Sequence, residues 1–250
     1  MRKNIKALLC VTAFVGAMSS GIAFADDLTI SSGSTETISQ EATYDNIINA
    51  GTLNNNASLT VETSLENSSR INNSSSIVTT EITNQSGASI TGESGSIEIS
   101  NGGTNAGTIT QNIVNVTSGT LANSGTITVQ NQFTNGATIT GDTGSISVSG
   151  ESSNTGSIAQ NSISVNGDFT NSGTLQATTF NNNGELTGTG KLIAAGGSNS
   201  NGKTIEQDTI EITGNYTNNG TMTANKEFTN TSSDITGSGS LIIKDGAGNS

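Results

Sequence analysis

Past the first 25 residues, most apolar residues of this chain enter singly or in alternating pairs, set between hydroxyl residues. The phrases SIEIS (Ser96–Ser100), TIT (Thr108–Thr110), TITV (Thr126–Val129), SISVS (Ser145–Ser149) and TIEIT (Thr209–Thr213) show the style. No stretch keeps an apolar face at helical spacing over several turns, and alternation of this kind is the mark of a strand. Val, Ile and Thr suit a pleated strand. The Asn, Gly and Ser between the phrases suit tight corners, because Gly and Asn tolerate a left-handed backbone. The pattern predicts many short strands joined by tight corners.

The phrases repeat at a long interval. Isoleucine or leucine followed by Thr-Gly stands at Ile90, Ile139, Leu186 and Ile235, steps of 49, 47 and 49. Three further anchors keep the same phase: Ile109, Ile158 and Ile205; Val116, Val165 and Ile212; Ile127, Leu175 and Met222. Self-similarity at such a period is the signature of a stacked repeat architecture. We expect an all-β parallel β-helix, a β-solenoid built from a repeat of about 48 residues. It divides into irregular rungs over 26–104 and three regular copies over 105–250. Three rungs per repeat, one of them short, would fit, and so would two rungs of about 24 residues.

Composition tests this expectation. Asn 32, Ser 36, Thr 39 and Gly 31 make up over half of the 250 residues, and apolar residues are only 30%. An ordinary layered domain carries about 45–50%. A disordered chain shares this polarity, but it has no need to phase its apolar residues. A solenoid does, because each rung buries only a few side chains against its neighbours, while Asn and Thr stack as hydrogen-bonded ladders. The absence of Pro agrees, since Pro cannot donate to a ladder. The expected inward residues are Ile109, Ile113, Val116, Leu121, Ile127, Val129, Phe133, Ile139, Ile146 and Val148. The next copy supplies Ile158, Ile163, Val165, Phe169, Leu175, Phe180, Leu186 and Leu192.

The segment 1–25 reads differently. Arg2, Lys3 and Lys6 precede the apolar run Ala7–Met18, and Ala23-Phe24-Ala25 offers a small-x-small cleavage site before Asp26. This is the form of a secretory signal peptide. The run is short for a membrane span. Leu9 before Cys10 does not fit lipoprotein processing. Cleavage would remove the one Cys and three of the eight basic residues. It would leave five basic against twenty acidic residues over 26–250, a net charge of −15, and no thiol for a disulfide. Such a chain disfavours nucleic acid and anionic membranes as partners.

An exported, His-free, Asn/Gly/Ser/Thr-rich chain with rungs such as Gly167-Asp168-Phe169-Thr170-Asn171-Ser172-Gly173-Thr174-Leu175 resembles the passenger region of bacterial autotransporter adhesins and filamentous-haemagglutinin-like proteins. The resemblance covers 105–250 well and 26–104 more weakly. It implies a right-handed parallel β-helix at the outer surface of a Gram-negative cell, or secreted from it, and often used for attachment. Host or neighbouring-cell surface molecules would be the partners. Neither a translocator barrel nor a Pro-containing secretion motif is found, so a barrel would have to be encoded beyond residue 250. The runner-up is a structural extracellular filament or surface-layer component. A polysaccharide-acting enzyme ranks below both.

No catalytic, cofactor or metal residue is expected. Without His and with one Cys, zinc sites and His-based catalysis are excluded. The densest acids, Glu206, Asp208 and Glu211 with Asp168, read as a solvated face. Asn101-Gly102-Gly103-Thr104-Asn105 approaches a calcium-solenoid motif but lacks its acid. The sequons at Asn56, Asn115 and Asn215 follow from composition. Thr-x-Thr pairs at 108–110, 126–128, 138–140 and 221–223 suggest an ice-binding array. Ser157-Ile158-Ala159 and Thr174-Leu175-Gln176 interrupt it.

Overall fold

The computed structural model describes residues 26–231 and 234–244, and the signal-peptide segment 1–25 lies outside them. The described residues form a parallel β-solenoid in which every strand pairing is parallel. Each turn has three flat faces, here A, B and C, and each face has a first inward position, apolar in most turns, followed two residues later by a second inward position. On face A the first inward position runs Leu53, Ile71, Ile90, Ile109, Ile127, Ile146, Ile163, Phe180, Gly197, Tyr216, Ile235. Successive members stand 17 to 19 positions apart, so one turn takes about 18, the interval at which stacked side chains also bond. Face B carries Val114 and Phe133, and face C carries Leu121, Ile139 and Ile158.

This turn length corrects both rung counts drawn from the repeat. One long repeat spans two and two-thirds turns, so each copy begins one face away from the last. Ile90 lies on face A, Ile139 on face C, Leu186 on face B, and Ile235 on face A again, eight turns above Ile90. The same turn length holds before and after residue 105.

The inward list holds at every position but one. Ile109, Val116, Leu121, Phe133, Ile139, Phe169, Leu186 and their companions are all at most 2% exposed. Ile113 is the exception. It is half-buried on the outer side of face B, and Val114 fills the core place at 0%. The strand Thr108–Val116 bends at Asn112, where one face ends and the next begins. Alternation holds along a face, but the single corner residue resets it, and the inward phase passes from Ile109 and Gln111 to Val114 and Val116.

Two small column positions lie between aromatic residues: Phe180–Gly197–Tyr216 on face A and Phe133–Ser152–Phe169 on face B. The Phe133 and Phe169 rings stand two rungs apart, about 9.6 Å at ordinary strand spacing. Their centroids are only 6.4 Å apart because both lean into the space above and below Ser152.

The second inward positions make the polar part of the core. Asn49, Asn67, Asn84, Asn105 and Asn123 stack on face C, each side-chain amide donating to the carbonyl oxygen of the next at 2.7–2.8 Å. Shorter ladders run Asn55–Asn73 and Asn182–Asn199–Asn218 on face A, and Asn135–Asn154–Asn171 on face B. Three ladders end the same way, in Gly and then Gln. Asn73 donates past Gly92 to Gln111 Oε1 at 2.6 Å, Asn123 past Gly141 to Gln160 at 2.6 Å, and Asn171 past Gly188 to Gln207 at 2.7 Å. Each Gln amide nitrogen then donates to the carbonyl of the residue before it, closing the chain. Glycine is required in between. A Cβ on Gly92 would lie 1.6 Å from the Asn73 carbonyl oxygen, and one on Gly141 1.8 Å from that of Asn123.

Candidate binding surfaces

Outward side chains differ sharply from face to face. On face A the residues flanking each inward position are Ser89 and Thr91, Thr108 and Thr110, Thr126 and Thr128, Ser145 and Ser147, Ser162 and Ser164, then Thr179 and Asn181. From Thr35 to Thr236 only Arg70 and Asp234 in these two columns are charged. Several of the groups bond one another along the axis. Asn72 donates to Asn54 at 2.8 Å, Ser198 to Asn181 at 3.2 Å, and Ser145 to Thr126 at 3.3 Å.

Faces B and C hold charge. The flanking positions of face B include Glu41, Glu98, Glu151, Asp168, Glu185 and Glu206, and those of face C include Glu66, Glu81, Lys191, Glu211 and Glu227. The four acids singled out from sequence are not brought together. Asp168 and Glu206 lie on face B two rungs apart, Glu211 on face C, and Asp208 at the corner between them. Three of them pair with lysines instead: Asp208 with Lys226 at 2.6 Å, Glu211 with Lys191 at 2.8 Å, and Glu206 with Lys244 at 3.2 Å. These pairs are partly exposed, so each contributes at most about 1 kcal/mol.

The calcium-like Gly102-Gly103 proves to be a core feature. Gly103 takes an inward place on face C between Ile82 and Leu121, with φ 121°, where a Cβ would meet the Ile82 carbonyl at 2.1 Å. The interruptions of the threonine array, Ser157–Ala159 and Thr174–Gln176, belong to face C. The hydroxyl pairs of face A continue past them, which the 48-residue period concealed. Serine and asparagine replace many of the methyl-bearing threonines, so face A is not a uniform Thr-x-Thr sheet.

Sequence reading missed one surface. The corner between faces C and A forms a groove of about 270 Å³ over five rungs, lined by Asp142, Asn161, Gln176, Thr178, Ile193 and Thr213 among others. Its lower end is the Gly141–Ser145 corner, which holds two more residues than the Gln160–Ser162 corner above it. Its upper end is the Thr213-Gly214-Asn215 corner, one residue longer than the corner below. The groove is the saddle between these two bulges. Nothing in the local sequence marks it, because the residues come from five successive turns.

Comparison of the chain with known protein families, with curated proteins and with solved structures finds no match. The fold and surfaces define the class, a parallel β-solenoid with one neutral polar face and two charged ones.

Proposed function

We propose that this protein is an exported, surface-displayed or secreted solenoid that acts as an adhesin-like passenger or stalk, binding molecules on host or neighbouring cells without catalysis. The observation that carries this reading is the hydroxyl and amide face running the length of a rod whose charge, apart from Arg70 and Asp234, lies elsewhere. Cleaved before Asp26, the chain would carry a net charge of −15 and meet negatively charged cell surfaces with repulsion. A face whose outward columns carry charge only at Arg70 and Asp234 is where it can approach them, and its fixed hydroxyl and amide groups offer donors and acceptors in register. Export rests on the basic and apolar segment before Asp26. The exported product is expected to begin at Asp26, as N-terminal sequencing would show.

The test is capture of cultured cells by the exported protein. Three charges placed on face A, Thr110→Glu, Thr128→Glu and Ser147→Glu together, are expected to reduce capture at least fivefold. Three on face B, Asn115→Glu, Thr134→Glu and Ser153→Glu, are expected to leave it within twofold. Absence of capture by the wild type, or equal loss from both faces, would overturn the proposal.

A further inference from the structure

We infer that the groove at the corner of faces C and A is a binding site for a neutral oligosaccharide. The inference rests on the adhesive reading above and names the ligand class for it. Asp142, Asn161, Gln176, Thr178 and Thr213 are exposed, and among the described residues none of their side chains bonds to another protein group. Gln160 lies beneath them, accepting from Asn123 and donating to the Ala159 carbonyl, so it holds the floor in place.

The chemistry of the lining fits sugar hydroxyls. A carboxylate accepts, and the amides of Asn161 and Gln176 both donate and accept, as vicinal hydroxyls require. Ile193 supplies an apolar floor against which the C–H face of a sugar ring can pack. A concave site with a small apolar surface and a few convergent polar groups is the usual form of a ligand site. Five rungs span about 19 Å at the ordinary strand spacing, enough for a short oligosaccharide laid along the axis. Asp142 is the one charged group in the lining, so an anionic sugar would meet repulsion in the groove as well as from the rod.

The exported protein is titrated by calorimetry with maltotetraose, cellotetraose, chitotetraose and a β-linked galactotetraose, with sialyllactose as the anionic probe. At least one neutral sugar is expected to bind and sialyllactose is not. The double variant Asn161→Ala, Gln176→Ala should weaken that binding at least tenfold, and Ile193→Trp should abolish it by filling the floor. All three positions are on the outer surface, so melting temperatures should match the wild type. The site is refuted if no neutral sugar binds, if sialyllactose binds as tightly, or if the variants bind as the wild type does. The same variants separate the two proposals in the cell-capture assay. Capture undiminished by Ile193→Trp removes the groove and leaves the adhesive reading. Sugar binding at the groove without any cell capture removes the adhesive reading and leaves the groove.

Discussion

Val129, Val148 and Val165 occupy three successive rungs of one inner column on face A, and Asn182, Asn199 and Asn218 occupy the next three. The six share the same place relative to the corner and are equally dry, at 0–4% exposure. The valines are held by burial alone, at roughly 1.5–3 kcal/mol for a side chain of that size. The asparagines are held by a relay in which each amide donates at 2.9 Å to the next. Such a bond contributes only about 1 kcal/mol net, yet leaving a buried partner unpaired costs about 1–3 kcal/mol. One block tolerates loss of a member gradually, and the other depends on continuity. Along the chain the two kinds are interleaved. From Gly141 onward, successive inward second positions read Gly141, Val148, Asn154, Gln160, Val165, Asn171, Ala177, Asn182, an eight-letter word that begins again at Gly188. Three faces per turn place every third letter in one column. The mixed word is thereby sorted into Gly, Gln, three apolar residues and three asparagines.

The largest expected effect breaks the ladder end. Gly141→Val would drive a side chain into the Asn123 carbonyl, a backbone clash no rotamer relieves. A loss of at least about 3 kcal/mol is expected, read as a lower urea midpoint. Hydrogen exchange should show the opening concentrated in adjacent rungs, since solenoids couple mainly to nearest neighbours. Equal opening of every rung would argue for a single cooperative unit.

Next comes the ladder interior. Asn199→Val leaves the Asn218 carbonyl oxygen unpaired and takes one acceptor from the Asn182 amide, which keeps the Gly184 and Thr204 carbonyls, at about 1–3 kcal/mol. Replacing Asn182, Asn199 and Asn218 all by Val leaves no side-chain partner unpaired, although the Gly184, Thr204, Lys203, Thr221 and Ser240 carbonyls lose the amides they accept from, so it should cost less than three times the single change. If the triple variant loses three times as much as the single one in chemical denaturation, continuity is not what holds the asparagines.

A smaller effect tests the corner reset. Val114→Ala is expected to cost about 2 kcal/mol as a cavity, and Ile113→Ala, on the outer side, about 0.5 kcal/mol. The reverse order in thermal melts would place Ile113 inward after all.

The smallest appears only in alkali. Tyr216 replaces isoleucine in the face A column, 1% exposed, and burial holds its phenol well above the ordinary value of 10.0. The unfolded chain releases that proton near pH 10 while the folded chain keeps it, so stability is intact below pH 10 and falls above it. Tyr216→Phe should flatten this part of the alkaline curve. It also removes a buried hydroxyl without a protein partner, so stability at pH 7 should not fall.

The sequence by itself determined the parallel solenoid, the 48-residue period and nearly all of the inward residues it named between Ile109 and Leu192. Phased apolar residues between β-branched and corner residues have few other ways to be buried, and seventeen of the eighteen expected inward positions are indeed inward. It did not determine the turn, because a repeat of two and two-thirds turns looks the same along the chain as one of two or three. Everything vertical depended on that turn and was decided only by the tertiary structure. Gly92 and Gln111 become a ladder end, Ser157 and Thr174 leave the hydroxyl face, and Ile113 turns outward where a one-residue corner resets the alternation. The groove at Asp142 belongs with these. Its walls come from successive turns, far apart along the chain and brought into contact by stacking at strand spacing, a distance that linear spacing does not encode.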